Sequence, residues 1–397
     1  MEWGLKAIMK TPEFFLSDPV VAAVSAPDET RWGFTQFPAL SRLPDGRILL
    51  CYADAEDASE THGNTAPALV SADEGETWQS FAGEPDPVRP HYAITEAYDG
   101  EFFAVPSIRY FDVKKAGIAL PEPVAESFVY GSLYTYRAVD FPAEVLDHFR
   151  WLGCKRWTPG SGTWVDEKVE YETKDLLVWR REDSDLLPRA FFERPALRHR
   201  GEILYADYRV RYALKDGFVA QKGGTDLMAS SDNGRTFEHR ATVAVDRSGR
   251  DLMGEPTLAE TTEGELVCVI RKTDHEQKPM VITRSSDGGR TWTDPVEFCE
   301  FGVFPCLQKL KSGPLVLSYG RPGVHLRISP DGNGREWSEP VTLISGDPAE
   351  VSRCSCGYTS LLELSDNSLL IAYSDFEHVD AGGTSRKAIL TRRVKVG

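Results

Sequence analysis

The chain has no long hydrophobic run. No apolar stretch approaches the roughly 18–20 residues that a membrane-spanning helix requires. It is also short of positive charge: 45 Lys and Arg stand against 61 Asp and Glu, a net charge of −16. That sign argues against nucleic acid or an anionic membrane as partner, because either needs a basic surface. Solubility alone accounts for the acidity equally well. Cysteine is sparse, with seven in 397 residues. Cys354-Ser355-Cys356 has no second pair and no nearby His cluster, which excludes a zinc site. Cys51 and Cys268 lie inside apolar runs and read as reduced core residues. No metal or organic cofactor is expected. The opening Met1-Glu2-Trp3-Gly4-Leu5 does not start a signal peptide, so a cytoplasmic location is expected, or secretion if a leader has been removed. Oligomeric state is not set by any of these features.

What the chain does have is a recurring turn. Ser285-Ser286-Asp287-Gly288-Gly289-Arg290-Thr291-Trp292 follows the pattern Ser-x-Asp-x-Gly-x-Thr-aromatic. The pattern returns at Ser71 to Trp78 and at Ser230 to Phe237, and one residue longer at Ser329 to Trp337. The Asp caps backbone N–H groups, the Gly takes a conformation other residues resist, and the aromatic packs under the hairpin. Four copies point to a repeat architecture.

A second motif precedes each turn. Phe37-Pro38-Ala39-Leu40, Arg194-Pro195-Ala196-Leu197, Glu255-Pro256-Thr257-Leu258, Phe304-Pro305-Cys306-Leu307 and Tyr358-Thr359-Ser360-Leu361 each lead, through a tight turn, into an apolar strand. A third strand runs into the Ser/Asp turn and a fourth leaves it, which makes a four-stranded propeller blade. The predicted fold is all-β: one six-bladed propeller over 1–397, with blades near 33–90, 91–188, 189–247, 250–300, 302–346 and 355 to the C-terminus. The last unit lacks a strand, and Pro19 to Val24 is expected to supply it and close the ring. The second unit is irregular, with an insertion over about 111–188, strands at 94–110 and 127–139, and a short helix at 143–151. Its Trp151, Trp157 and Trp164, with Gly153, Gly160 and Gly162, form either a sugar-stacking platform or a loop packed on its own blade.

Equivalent positions in successive blades share one ring around the axis. The position before Pro-x-Leu is Phe37, Arg194, Glu255, Phe304 and Tyr358; the ends of the second strands give Asp54, Arg209, Arg271, Arg321 and Asp375. Singly, each charge reads as a blade-to-blade ion pair. Together, four arginines, a Glu and a Tyr on one axis favour a site for an anionic or polyhydroxy ligand, since the guanidinium fork suits a carboxylate.

The turns and these positions resemble the Asp boxes and catalytic set of the sialidase (neuraminidase) superfamily. The resemblance implies a Tyr nucleophile assisted by a Glu, three arginines on the substrate carboxylate, and an Asp acid/base. Gly254-Glu255 with Arg271 matches the family's Glu and second arginine. Arg321 matches the third arginine, and Gly357-Tyr358-Thr359-Ser360-Leu361 matches the Tyr motif. Departures are equally specific. Gln36 stands where the first arginine would be, and the Glu that supports it falls at Ser374 or Asp375. The acid/base position falls near Glu60, in a loop that also offers Asp57 and His62. The implied activity is an exo-acting glycoside hydrolase that releases a terminal acidic sugar, namely sialic acid or a related keto-acid or uronic acid sugar. The alternatives are a polysaccharide lyase using His62, Tyr358 and Arg271 on a uronate, and a glycan-binding propeller without catalysis. The expected partner is a glycan or oligosaccharide.

Overall fold

A computed structural model describes residues 14–88, 93–106, 110–129, 131–272 and 277–397; the opening pentapeptide discussed above lies outside them. Three sheets of the described chain are simple antiparallel meanders of four consecutive strands. Phe34–Arg42, Ile48–Asp54, Ala68–Ser71 and Gln79–Ser80 form one. Met253–Glu260, Leu266–Lys272, Met280–Ser285 and Val296–Phe298 form another, and Val303–Lys309, Leu315–Gly320, Val324–Ser329 and Val341–Ile344 a third. Two further meanders are fused into one eight-stranded sheet, because Trp164–Tyr171 pairs in parallel with Thr236–Val245. In the terminal sheet, Thr359–Glu363, Leu369–Val379 and Ser385–Val396 are completed from the other end of the chain by Val20–Val24 and Phe14–Leu16. The expected N-terminal strand is therefore in place, with Val20 opposite Thr391 and Val24 opposite Ala388.

The sheets are laced together by short hydroxyl side chains on their first strands. Ser360 Oγ accepts from the Leu40 N–H at 3.0 Å, Ser41 Oγ from Ile94 at 3.2 Å, Thr95 Oγ1 from Ala196 at 2.9 Å and Thr257 Oγ1 from Leu307 at 3.0 Å. These strands surround one axial cavity of about 390 Å³, lined by residues 38–42, 195–198, 256–259, 306–309 and 359–362. Apolar faces between neighbouring sheets form the core. One such cluster packs Leu204, Leu227 and Val243 against Leu266, Cys268 and Ile270.

The four turns share their hydrogen bonds. Ser71 Oγ donates to Asp73 at 2.8 Å and accepts from Gly75 N–H at 2.8 Å, while Asp73 accepts from Thr77 N–H at 2.9 Å. The two serine contacts recur at Ser230, Ser285 and Ser329; the Asp–Thr contact recurs at Asp232 and Asp287, while Asp331 accepts from the Asn333 N–H instead. Trp292 and Trp337 bond their own turns, but Trp78 reaches across to Thr391 Oγ1 at 3.1 Å and ties the first sheet to the last. Hydrogen bonds from Thr77 hold the Asp73 carboxyl down at about 2, and Asp232, Asp287 and Asp331 shift in the same direction. A carboxyl depressed in the folded state contributes stability above its ordinary value, near 3.9, and loses it as pH falls through the folded value. The thermal midpoint should therefore drop steeply between pH values of about 4 and 2, and Asp73→Asn should flatten that slope. Calorimetric melts across this range check it.

The second unit differs from expectation in detail. Residues 94–110 are not one strand: Ile94–Glu96 and Phe102–Ala104 pair across a tight turn at Tyr98–Gly100. Trp151–Trp157 and Trp164–Tyr171 are paired strands of the sheet, so the Trp- and Gly-rich stretch is part of the blade rather than a loop laid on it. The excursion proper carries Ala125–Phe128, Ser132–Arg137 and the helix Ala143–Arg150, and returns at Leu176–Arg181.

Candidate active site

The site is built on backbone strain. In three first strands the register slips just where Pro-x-Leu begins, and the residue before the proline is left-handed: φ is +56° at Phe37, +50° at Glu255 and +40° at Phe304. Such residues cost roughly 1–3 kcal/mol each, and strain of this kind clusters at functional sites. Tyr358 is placed by Gly357, whose φ is +74° and where an added Cβ would sit 2.5 Å from the Arg321 backbone nitrogen. Only glycine meets both conditions.

These positions converge. The Tyr358 hydroxyl donates to Glu255 Oε1, which also accepts from Arg271 Nη1 at 2.7 Å, while Glu255 Oε2 accepts from the Phe304 N–H at 2.8 Å. The Tyr358 ring lies flat on Phe304, with centroids 4.4 Å apart, and tilted against Phe37 at 4.8 Å. Arg194 stacks on Phe304 at 3.7 Å and donates to its carbonyl at 2.9 Å. Phe304 therefore holds both partners, Tyr358 through its ring and Glu255 through its N–H. Burial pushes the Tyr358 hydroxyl well above its usual range, and the Glu255 charge adds to this. Burial pushes Glu255 the other way from where it ends. The charge of Arg271, the Tyr358 hydrogen bond and the charge of Arg321 outweigh it and hold the carboxyl below its ordinary value. The proton thus rests on Tyr358, with an ionised carboxylate ready to receive it.

A second group flanks this pair. Arg321 donates to the Cys356 carbonyl through Nε at 3.2 Å and Nη2 at 2.9 Å, and its guanidinium lies 5.4 Å from the Tyr358 ring and 5.2 Å from the Trp32 ring. Trp32 Nε1 donates to Asp57 Oδ2 at 3.1 Å. Asp57 Oδ1 meets His62 Nε2 at 3.2 Å, and His62 Nδ1 meets the Tyr110 hydroxyl at 3.1 Å. Arg209 pairs with buried Glu193 and lies 4.7 Å over the Tyr208 ring.

Other expected residues stand apart. Glu60 is exposed on the short turn Ser59–Thr61. Asp54 is also exposed and accepts from Thr35 Oγ1 at 3.3 Å. Asp375 accepts from the Glu377 N–H at 2.9 Å, with its carboxyl raised by burial. Gln36 is fully buried, and neither amide atom finds a hydrogen-bond partner among the described residues. It offers a ligand no surface. A buried unpaired amide costs about 1–3 kcal/mol, so Gln36→Met, nearly equal in volume, should raise the thermal midpoint. A lowered midpoint would mean that the amide is paired through water.

Sequence reasoning did not single out Trp32, Tyr110, Glu193 or Tyr208. Glu193 had a signal, since it directly precedes Arg194 in the repeated slot. Tyr110 enters from the excursion, which has no repeat to align it.

No family model and no curated protein matches the chain. Solved structures do. A protein of unknown function from Dyadobacter fermentans superposes with a TM-score of 0.63 at 18% identity, over 96% of this chain and 99% of that one. An α-L-arabinanase from Penicillium chrysogenum gives 0.56 at 14%, over 95% and 98%. A sialidase from Streptococcus pneumoniae gives 0.51 at 12%, over 95% of this chain and 70% of that one. At these identities the likeness establishes the fold alone, a β-propeller shared with glycoside hydrolases of more than one kind. Among the described residues no helix is long and apolar enough to cross a membrane.

Proposed function

We propose that the chain is a six-bladed propeller acting as a retaining, exo-acting glycoside hydrolase on a terminal acidic sugar, with Tyr358 as nucleophile and Glu255 as its base. The observation that carries this reading is the buried hydrogen bond from the Tyr358 hydroxyl to Glu255, with Arg271 on the same carboxylate oxygen. A neutral phenol is a weak nucleophile, and its proton must leave as its oxygen attacks. Glu255 takes that proton, the Tyr358 oxygen bonds the anomeric carbon, and the bond to the aglycone breaks. Water then displaces Tyr358, which recovers its proton from Glu255. A phenol attacks a carboxylate-bearing sugar without setting two anions against each other.

The acidic substrate is supported by charge. Arg194, Arg209, Arg271 and Arg321 gather around the pair and its neighbours Glu193 and Asp57, a local concentration of arginine in a strongly acidic protein. Arg271 is committed to Glu255 and Arg209 to Glu193, whereas among the described residues Arg321 is held only by the Cys356 carbonyl and two ring faces. With Gln36 buried, the clamp has fewer arginines than a sialidase clamp, which favours a keto-acid or uronic acid sugar over sialic acid. Six successive four-stranded meanders, closed by the two chain ends, support the six-bladed ring. The test is a panel of aryl glycosides spanning sialosides, uronides and arabinofuranosides. Release of the phenol from an acidic glycoside without an unsaturated product is the expected result. An ultraviolet-absorbing unsaturated uronate would instead identify a lyase, and binding without turnover a glycan-binding propeller.

A further inference from the structure

The loop after Asp54 offers three groups for the leaving-group proton, and their surroundings separate them. Asp57 is the least suited to donate. Burial would raise its carboxyl, but hydrogen bonding and charge from His62, the Trp32 hydrogen bond and the charge of Arg209 outweigh burial and hold it below its ordinary value. It remains an anion and can only accept. Glu60 faces solvent on the neighbouring turn. His62 is largely buried, its side chain 12% exposed, and both ring nitrogens are engaged, Nε2 by Asp57 and Nδ1 by Tyr110.

Because Asp57 only accepts, His62 Nε2 carries a proton, and the Nδ1 side exchanges its proton with Tyr110. The order carboxylate, imidazole, hydroxyl is the one that makes a hydroxyl proton mobile in nucleophilic triads. Here the nucleophile is already supplied by Tyr358, on the other side of Trp32 and Arg321. The two systems are joined through Trp32, which donates to Asp57 and lies against the Arg321 guanidinium.

We propose that Tyr110, acting through His62 and Asp57, is the acid/base of the reaction, a role that rests on the glycosidase reading above. In the first step, which requires a proton on both ring nitrogens of His62, Tyr110 gives its proton to the glycosidic oxygen and receives the one on Nδ1. The aglycone leaves as a neutral alcohol, and His62 is left neutral, its Nε2–H still on Asp57. In the second step water gives a proton to Tyr110 as its oxygen attacks the anomeric carbon. Tyr110 passes a proton back to Nδ1, and the starting state returns. Net, one water is consumed and one glycosidic bond is broken. Tyr110 alone meets the glycosidic oxygen and the water; His62 acts through Tyr110, and Asp57 holds the His62 Nε2–H, so both are positioning residues.

The experiment compares two glycosides of one sugar cleaved by the wild type, one with a dinitrophenyl aglycone and one with an alkyl aglycone. A nitrated phenolate leaves without a proton, whereas an alkoxide does not. Tyr110→Phe and His62→Ala should each lower kcat/KM on the alkyl glycoside by about 10²–10⁴-fold; on the dinitrophenyl glycoside kcat/KM should change far less, while kcat still falls because the second step needs Tyr110 as base. The double variant should lose no more than either single one, because the pair acts as a unit. Asp57→Asn should show the same substrate split with a smaller loss, which a purely structural role would not produce. Equal losses of kcat/KM on both substrates, or none on the alkyl glycoside, in variants with wild-type melting curves would overturn the relay and leave the nucleophile assignment standing. A wild-type enzyme that cleaves no glycoside in the panel would overturn both.

Discussion

Tyr358→Phe is expected to abolish turnover and leave the fold intact. The substitution removes one oxygen and keeps the ring that stacks on Phe304 at 4.4 Å and leans on Phe37. Glu255 keeps its bonds to Arg271 and to the Phe304 N–H, so no buried charge loses its partner. Catalysis loses its nucleophile, and no other hydroxyl donates to Glu255 among the described residues. Glu255→Gln keeps the shape and removes the base, and should cost roughly 10²–10⁴-fold in kcat. A melting curve and a rate measurement on the same preparation separate the two effects. If Tyr358→Phe retains most of its rate on the true substrate, Tyr358 is not the nucleophile.

Arg271→Ala is expected to be among the most destabilising single changes in the protein. Arg271 and Glu255 are both about one-twentieth exposed, and their ion pair is closed at 2.7 Å. Removing one member of such a pair strands the other charge in the interior, at a cost of about 3–5 kcal/mol. The sign with pH follows from Glu255. Its carboxyl is depressed in the native protein, so the pair contributes stability above the ordinary carboxylate range, and that contribution is lost as pH falls through the folded value. Without Arg271 the largest influence opposing burial is gone and the carboxyl moves up, so the variant should fall furthest behind the wild type at neutral pH and recover ground toward pH values of about 5. Arg271→Met combined with Glu255→Gln should restore much of the lost stability, because neither side chain then carries a charge. Denaturant titrations at the two pH values measure both effects. Equal deficits at both would mean that the ion pair is not what stabilises this centre.

The parts of this architecture legible in the sequence are those fixed by local chemistry and repeated. Ser71-x-Asp73-x-Gly75-x-Thr77 can be read because each bond in the turn lies within a few residues of its partner. Glu255, Phe304 and Tyr358 could be placed on one axis because the same strand position recurs from sheet to sheet. What was not legible depends on how the backbone turns within that position. Gln36 looked like a pocket residue by alignment with the family pattern, but the left-handed conformations at Thr35 and Phe37 bury it and turn the neighbouring aromatic toward Tyr358. Tyr110 was invisible because it reaches His62 from an excursion outside the repeat, across 48 positions of sequence. Trp151, Trp157 and Trp164 read from composition as either a platform or a loop packed on its blade; cross-strand pairing of Trp157 with Trp164 makes them strand residues of the blade, a register that composition does not carry. Arg194 was expected to meet the substrate; it lies on the Phe304 ring and holds its carbonyl, one layer from Tyr358.

The central claim is a covalent bond between the sugar and Tyr358. An activated glycoside carrying a ring fluorine next to the anomeric carbon slows the second displacement and lets the intermediate accumulate. Acid-quenched protein, digested and analysed by mass spectrometry, should show the mass of one fluorosugar on the peptide containing Tyr358, absent in Tyr358→Phe and chased away by an acceptor alcohol. A stoichiometric adduct on any other residue, or turnover with no adduct and an inverted anomeric product, would contradict the account.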